Sequence, residues 1–237
     1  MNYLIVCPPR SGSSYLGEFL QLQGLPYYNE LFTPEITRTQ YIWPKHLERQ
    51  HIDNRIDLAL GQQGSGFKLP YNDSMPGMWA LTRVSRMCHV KIIHIIRDDL
   101  VEQFASWLWL NMAGISMARD DGSLWNTDGK RVESCRVDPP YEVEPSKVLD
   151  HFRKMEFCRR LCRELFRHNH PYMEIASHEV FEKHGMRSVC KLLNVSFHST
   201  RVPNQIPTPR PMAREMIKNY DEVAEAFQST SWANQWI

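Results

Sequence analysis

Within seven residues, Pro9-Arg10-Ser11-Gly12-Ser13-Ser14-Tyr15 gathers a guanidinium, three hydroxyls, a phenol and a glycine. Placed where a strand turns into a helix, such a segment can hold an oxyanion. The first N–H groups of a helix have no intrahelical acceptor, and the helix dipole is positive at that end. Gly12 permits close approach of the backbone, Ser11, Ser13 and Ser14 add donors, and Arg10 supplies a planar cation that matches phosphate or sulfonate oxygens. The same residues could also do no more than cap a helix, a common use of serine. The segment is not a nucleotide-triphosphatase loop, which needs Gly-x-x-x-x-Gly-Lys-Ser/Thr: the upstream glycine and the lysine are missing, and the cation precedes the glycine. A Mg²⁺-binding reading of Asp98-Asp99 lacks the lysine and metal-binding hydroxyl that would accompany it, so metal-independent chemistry is expected.

A second cation, Arg97, ends the strongest apolar run, and Ser106 follows it nine residues later on a helical pattern. In isolation Arg97 reads first as the partner of Asp98, Asp99 or Glu102 in a surface ion pair, and the Arg10 loop turns that reading toward an anion site. Lys68 interrupts a third apolar run, and Glu30 closes the second. His94 sits inside the strongest run and reads as a satisfied core residue rather than a catalyst. Trp107, Trp109 and Tyr71 could stack on a ligand ring, but aromatics at such spacing more often fill a core.

These residues need elements to position them. Tyr3 to Cys7 reads as a strand bounded by Pro8-Pro9, and Leu16, Phe19 and Leu20 then recur at helical spacing. Leu25 to Tyr28, Gly66 to Leu69, the nearly continuous Val90 to Ile96 and Tyr172 to Ala176 read as further strands. Between and after them come helical patterns from Leu100, over 146–169 and from Val180 to Leu193. Alternating strands and helices predict an α/β, P-loop-like three-layer fold: a central parallel sheet of about five strands flanked by helices. In such a sheet the carboxyl ends of the strands meet at one crevice, where Arg10, Glu30, Lys68 and Arg97 should converge. Residues 1–237 read as a single domain with a loop-rich insertion at 114–145. A Pro-rich loop from Pro203 to Pro211 precedes a helix carrying Ala213, Met216, Ile217, Tyr220, Ala224 and Phe227.

Composition bounds the partners. A formal charge of +1 provides no long-range field toward nucleic acid or an anionic membrane, while a single anionic ligand is compatible with it. No apolar run is long enough to span a bilayer, and the first nine residues have neither the basic leader nor the apolar length of a signal peptide. Cys158 and Cys162 belong to an apolar stripe with Val148, Phe152, Met155, Leu165 and Phe166, and no cysteine spacing suits a structural zinc. A reducing, cytoplasmic setting is the expectation. The oligomeric state is left open between monomer and homodimer.

At this point the chain resembles a known family. Pro9 to Leu16 is similar to the 5′-phosphosulfate loop of sulfotransferases, and Ile95-Ile96-Arg97-Asp98 with Ala105-Ser106-Trp107 is similar to their 3′-phosphate motif. Asn29-Glu30-Leu31-Phe32, Gly66-Phe67-Lys68-Leu69 and Asn219-Tyr220-Asp221-Glu222-Val223 resemble segments of the bacterial carbohydrate sulfotransferases of the nodulation-factor and trehalose type. The resemblance implies 3′-phosphoadenosine 5′-phosphosulfate as donor, bound by Arg10, Ser11, Gly12, Ser13, Ser14, Tyr15, Arg97 and Ser106, with a small-molecule or glycan hydroxyl as acceptor. Two departures stand out: Arg97 and Ser106 are nine residues apart where many members have eight, and Asp98 occupies a position often held by a second arginine. Arg210 is the candidate replacement cation. The Lys-Thr-His-like segment of aryl and steroid sulfotransferases has no counterpart histidine in Lys68-Leu69-Pro70, so the base should be a carboxylate, Glu30 or, as competitor, Glu35. His178-Glu179 falls where members present a Tyr-Glu pair, though a plain helix cap explains it as well.

Three readings follow: a sulfotransferase acting on a saccharide or glycolipid, a non-catalytic nucleotide-binding or assembly protein that kept the 5′ loop, and a P-loop-type small-molecule kinase. Turnover of the phosphosulfate donor, binding without turnover, and Mg²⁺-dependent ATP consumption distinguish them.

Overall fold

A computed structural model describes residues 1–30, 49–71, 75–113, 117–118, 124–125, 131–132, 139–203 and 212–236. Glu35 and Arg210 lie outside the described residues. In chain order the elements are β1 (Asn2–Cys7), α1 (Ser13–Leu22), β2 (Tyr27–Glu30), α2 (Arg49–Leu60), β3 (Gly66–Pro70), α3 (Met75–Ser85), β4 (Val90–Ile96) and α4 (Leu100–Ala113). Three two-residue strands follow, β5 (Met117–Ala118), β6 (Leu124–Trp125) and β7 (Arg131–Val132), then α5 (Pro145–Phe166) and β8 (Tyr172–Ala176). A 3₁₀ turn (Glu179–Phe181), α6 (Lys183–Leu193), α7 (Ala213–Met216), α8 (Tyr220–Phe227) and a last 3₁₀ turn (Ala233–Trp236) complete the described chain.

The described chain divides into two compact units, Met1–Ile96 with Phe157–Asn204 and Arg97–Glu156 with Gln205–Ile237. The first holds the five-stranded sheet, all parallel, in the order β2-β3-β1-β4-β8. This is the α/β architecture that the alternation of strands and helices predicts. β4 is buried along its whole length, as its unbroken apolar run requires of a strand covered on both faces. Register partners in a parallel sheet share a face, so Tyr3, Ile5, Cys7, Ile93, Ile95 and Ile175 form one apolar surface. Leu16, Phe19 and Leu20 of α1 and Met186, Val189, Cys190 and Leu193 of α6 cover it. The other face carries Leu4, Val6, Ile92 and His94.

Several expectations are refined. The helix read from Val180 to Leu193 is a 3₁₀ turn and α6, separated at Glu182, whose backbone is extended (φ −98°, ψ 143°). At the same joint the Cα of Gly185 lies so close to the Glu179 carbonyl that a β-carbon there would sit 2.1 Å from its oxygen. The helix read from Ala213 to Phe227 is likewise two helices: Ile217 leaves the helix to bridge Tyr141, and Asn219 exchanges two hydrogen bonds of 2.9 Å with the Val143 backbone. Residues 114–145, read as an insertion without period, contain the antiparallel sheet β5-β6-β7. Cys158 and Cys162 are buried, as their stripe implies.

The second unit has its own aromatic core, in which Phe152 lies 5.4 Å from Phe227 and Phe227 lies 5.2 Å from Trp236, centroid to centroid. Asp99 caps α4, accepting the Glu102 N–H at 2.9 Å, and this local bond accounts for its place before the helix. No helix among the described residues is long and apolar enough to cross a membrane.

Candidate functional site

The segment after β1 turns into α1 through two left-handed residues, Arg10 (φ 63°) and Gly12 (φ 81°). A left-handed glycine is free of steric cost, whereas arginine accepts that conformation only under constraint from its surroundings. At Gly12 the constraint is also spatial: a β-carbon there would lie 2.6 Å from Cζ of Phe181. Phe181 in turn packs its ring 4.9 Å from that of Tyr15. The Phe181 ring thus lies against the loop, and any side chain at position 12 would have to displace it.

Gly12 is the N-cap of α1, with no side chain closing the helix end. The first helical bond runs from Leu16 N–H to Gly12 O at 3.1 Å, so the amides of Ser13, Ser14 and Tyr15 have no acceptor within the helix. Ser11 Oγ is buried and has no hydrogen-bond partner among the described residues. A buried hydroxyl without a partner is costly, and a hydrogen-bonding group supplied from outside the protein would offset that cost. Lys68, only 4% exposed, comes up from β3 and donates from Nζ to Ser14 Oγ at 3.0 Å. The result brings open amides, hydroxyls and one ammonium together at the start of α1, with Arg10 two residues before Gly12 in the same loop. Its chemistry is that of an oxyanion site.

Glu30 ends β2 and is the register partner of Lys68 across the β2–β3 ladder, just past a bulge at Asn29. The backbone therefore brings Glu30 opposite the lysine that reaches the loop. Arg97 follows the last residue of β4, the strand next to β1 in the sheet, and Ser106 is buried (2% exposed) in α4. His178-Glu179 is used locally: Glu179 Oε2 accepts the Ala176 N–H at 2.8 Å, and its other oxygen is 3.5 Å from His184 Nε2. His94 is fully buried, as its place in the strand implies. Burial holds its imidazole neutral, with a pKa brought down to about 3. Among the described residues no group of three His, Cys, Asp or Glu is placed to hold a metal ion.

Sequence reasoning places Lys68 near the crevice without its contact to Ser14; the available signal is a lysine inside an apolar run, a placement that burial makes expensive. The pressure of Phe181 on Gly12 and the unpartnered Ser11 hydroxyl have no sequence signature, because both depend on what packs against the loop.

In fold the chain is similar to the crystal structure of a sulfotransferase from Alicyclobacillus acidocaldarius, with a TM-score of 0.51, 15% identity, and coverage of 95% of this chain and 90% of that one. No family model matches the sequence, and no curated protein matches it. The chain therefore has the sulfotransferase fold, and the resemblance read from the motifs is met at the level of architecture.

Proposed function

We propose that the protein is a sulfotransferase that moves a sulfonyl group from 3′-phosphoadenosine 5′-phosphosulfate to a hydroxyl of a saccharide or glycolipid. The observation that carries this reading is the loop after β1, where Ser11 Oγ is buried without a partner among the described residues, beside helix amides left open by Gly12. An oxyanion of the donor's 5′ end would satisfy both. Residues 1–237 are read as one functional domain working in a cytoplasmic setting without a metal.

In the reaction the acceptor oxygen attacks sulfur in line, its new bond to sulfur forming as the bond from sulfur to the bridging oxygen of the 5′-phosphate breaks. The acceptor proton passes to the Glu30 carboxylate, and adenosine 3′,5′-bisphosphate leaves with the electron pair. Arg10, Lys68 and the α1 amides offset the charge that grows on the leaving phosphate and the sulfonyl oxygens. Ser11, Ser13, Ser14 and Tyr15 complete the 5′ cradle. Arg97 and Ser106 are assigned the 3′-phosphate, and Arg210 the supporting charge that Asp98 cannot give.

The test is turnover of the phosphosulfate donor against a panel of saccharide and glycolipid hydroxyls, with Glu30→Gln alongside. A general base contributes about 10²–10⁴-fold to rate and little to donor binding, so the variant should lose turnover by that order and keep its affinity for adenosine 3′,5′-bisphosphate. Wild-type binding of the bisphosphate with no turnover on any acceptor would favour a non-catalytic nucleotide-binding role, and Mg²⁺-dependent ATP consumption a kinase. Full activity of Glu30→Gln would remove the carboxylate from the mechanism.

A further inference from the structure

Behind the loop, on the other face of the sheet, five side chains form one continuous hydrogen-bonded chain. Arg163 of α5 grips Glu174 of β8 with two bonds, Nε to Oε1 at 2.6 Å and Nη2 to Oε2 at 2.7 Å. Tyr172 donates its hydroxyl proton to Glu174 Oε1 at 2.6 Å. Its oxygen, having given that proton away, must accept from His94 Nδ1–H, 2.5 Å distant. The neutral imidazole then has Nε2 free as an acceptor, and Tyr71 donates to it. Every proton in the chain points the same way, from Tyr71 through His94 and Tyr172 to the carboxylate that Arg163 neutralises.

The end of this chain lies at the entrance of the loop. Tyr71 is the first residue after β3, and its backbone N–H donates to the Cys7 carbonyl, where β1 ends, at 2.6 Å. Pro8 and Pro9 carry no N–H, so the strand leaving the sheet has no donor of its own until Arg10. Whatever holds Tyr71 therefore holds the point from which the loop departs. An interior of apolar side chains would avoid the desolvation of three polar groups, whereas a fully satisfied polar chain fixes a single geometry.

We propose that Tyr71 is a positioning residue for the oxyanion loop, held through His94 and Tyr172 by the Glu174–Arg163 pair. The proposal rests on the reading of the loop as an oxyanion site and not on the identity of the transferred group. Arg10 and Ser11 meet the ligand in one arrangement because the exit of β1 cannot shift.

The test compares Tyr71→Phe, which cuts the chain at the loop, with Tyr172→Phe, which cuts it two residues away. Glu174→Gln serves as the conservative variant, since it keeps an acceptor for Tyr172. Backbone hydrogen exchange of the two bonded amides that bound the loop, Tyr71 (to the Cys7 carbonyl) and Leu16 (to the Gly12 carbonyl), should rise about tenfold in both phenylalanine variants relative to the amides of β4, the size expected for one lost hydrogen bond. Affinity for adenosine 3′,5′-bisphosphate should fall by a similar factor, and Glu174→Gln, which keeps the acceptor for Tyr172 but loses one bond to Arg163, should fall between wild type and the phenylalanine variants in both measurements. Tyr172→Phe answers the question if Tyr71→Phe does not fold. Loop exchange equal to wild type, or a rise spread evenly over the sheet, overturns the proposal. Absence of bisphosphate binding by the wild type would refute the donor assignment alone, and the exchange comparison would still decide the role of Tyr71.

Discussion

The loop after β1 and the polar chain behind it belong to the same five-stranded sheet and treat polar groups in opposite ways. In the loop a buried serine hydroxyl has no partner among the described residues, helix amides have no acceptor within the helix, and Arg10 sits in a left-handed conformation. In the chain from Tyr71 to Arg163 each donor meets an acceptor, although His94 is completely buried. The first arrangement leaves groups that a ligand could satisfy, and the second offsets its desolvation with internal hydrogen bonds. Unsatisfied groups mark where a protein receives something; satisfied ones mark what it holds still.

The largest separation of the two regions should come from Arg10→Ala. A charge-assisted contact is worth about 1.5–3 kcal/mol, so affinity for adenosine 3′,5′-bisphosphate should fall roughly 10- to 150-fold in calorimetry while thermal stability is kept. Equal affinity in the variant would take Arg10 out of the site.

The polar chain should reveal itself in acid. His94 has its pKa lowered from 6.5 to about 3 by burial, with Arg163 and Arg159 adding to the shift and Glu174 opposing it. Between those values the unfolded chain takes up a proton that the folded one refuses, so stability falls as pH drops from about 6.5 toward 3. The limit of the slope is about 1.4 kcal/mol per pH unit for one group. Glu174, lowered to about 2 first by its hydrogen bond to Arg163, adds a loss of the same sign below pH 4.5. His151 of the second unit, lowered to about 4 by burial, adds one of the same sign between 6.5 and 4. Urea midpoints from pH 7.5 to 4.5 should therefore show a shallower acid limb in His94→Gln than in wild type. Parallel limbs would mean that His94 is already charged in the folded protein.

The smallest effect sharpens the contrast most. Ser11→Ala removes a hydroxyl that has no partner among the described residues, so the melting temperature should stay the same or rise, by the equivalent of about 1 kcal/mol at most. Bisphosphate affinity should nevertheless fall severalfold. A clear loss of stability would show that the hydroxyl is hydrogen-bonded within the protein itself.

Much of this arrangement is legible in the chain. The apolar run Val90 to Ile96 identifies the central strand, and Pro8-Pro9 with Gly12 mark the turn into α1, because proline and glycine act on the backbone locally. The helices α2 and α3 carry readable signals as well, Ile52, Ile56, Ala59 and Leu60 in one and Ala80, Leu81 and Val84 in the other, although the strand-bearing motifs draw the eye away from them. The strands β5, β6 and β7 could not be read in this way, since two residues are too few to show an alternation. The breaks at Glu182 and at Ile217 to Asn219 escape the periodicity because each is imposed by a partner distant in sequence or by close packing rather than by a proline.

His94 shows where the boundary lies. From its neighbours in the sequence it is a core residue in a buried strand, and that much follows from local apolar pattern alone. Its bonds to Tyr71 and Tyr172, 23 and 78 residues away, exist only because β3 and β8 are placed on either side of the β1–β4 pair. In the same way the sequence by itself determined that a glycine and an arginine stand at the start of α1, since residue type and backbone preference are local properties. That Gly12 lies beneath Phe181, that Lys68 reaches Ser14 and that Ser11 has no partner among the described residues were decided by tertiary structure, because burial and hydrogen bonding depend on which distant side chains displace the water.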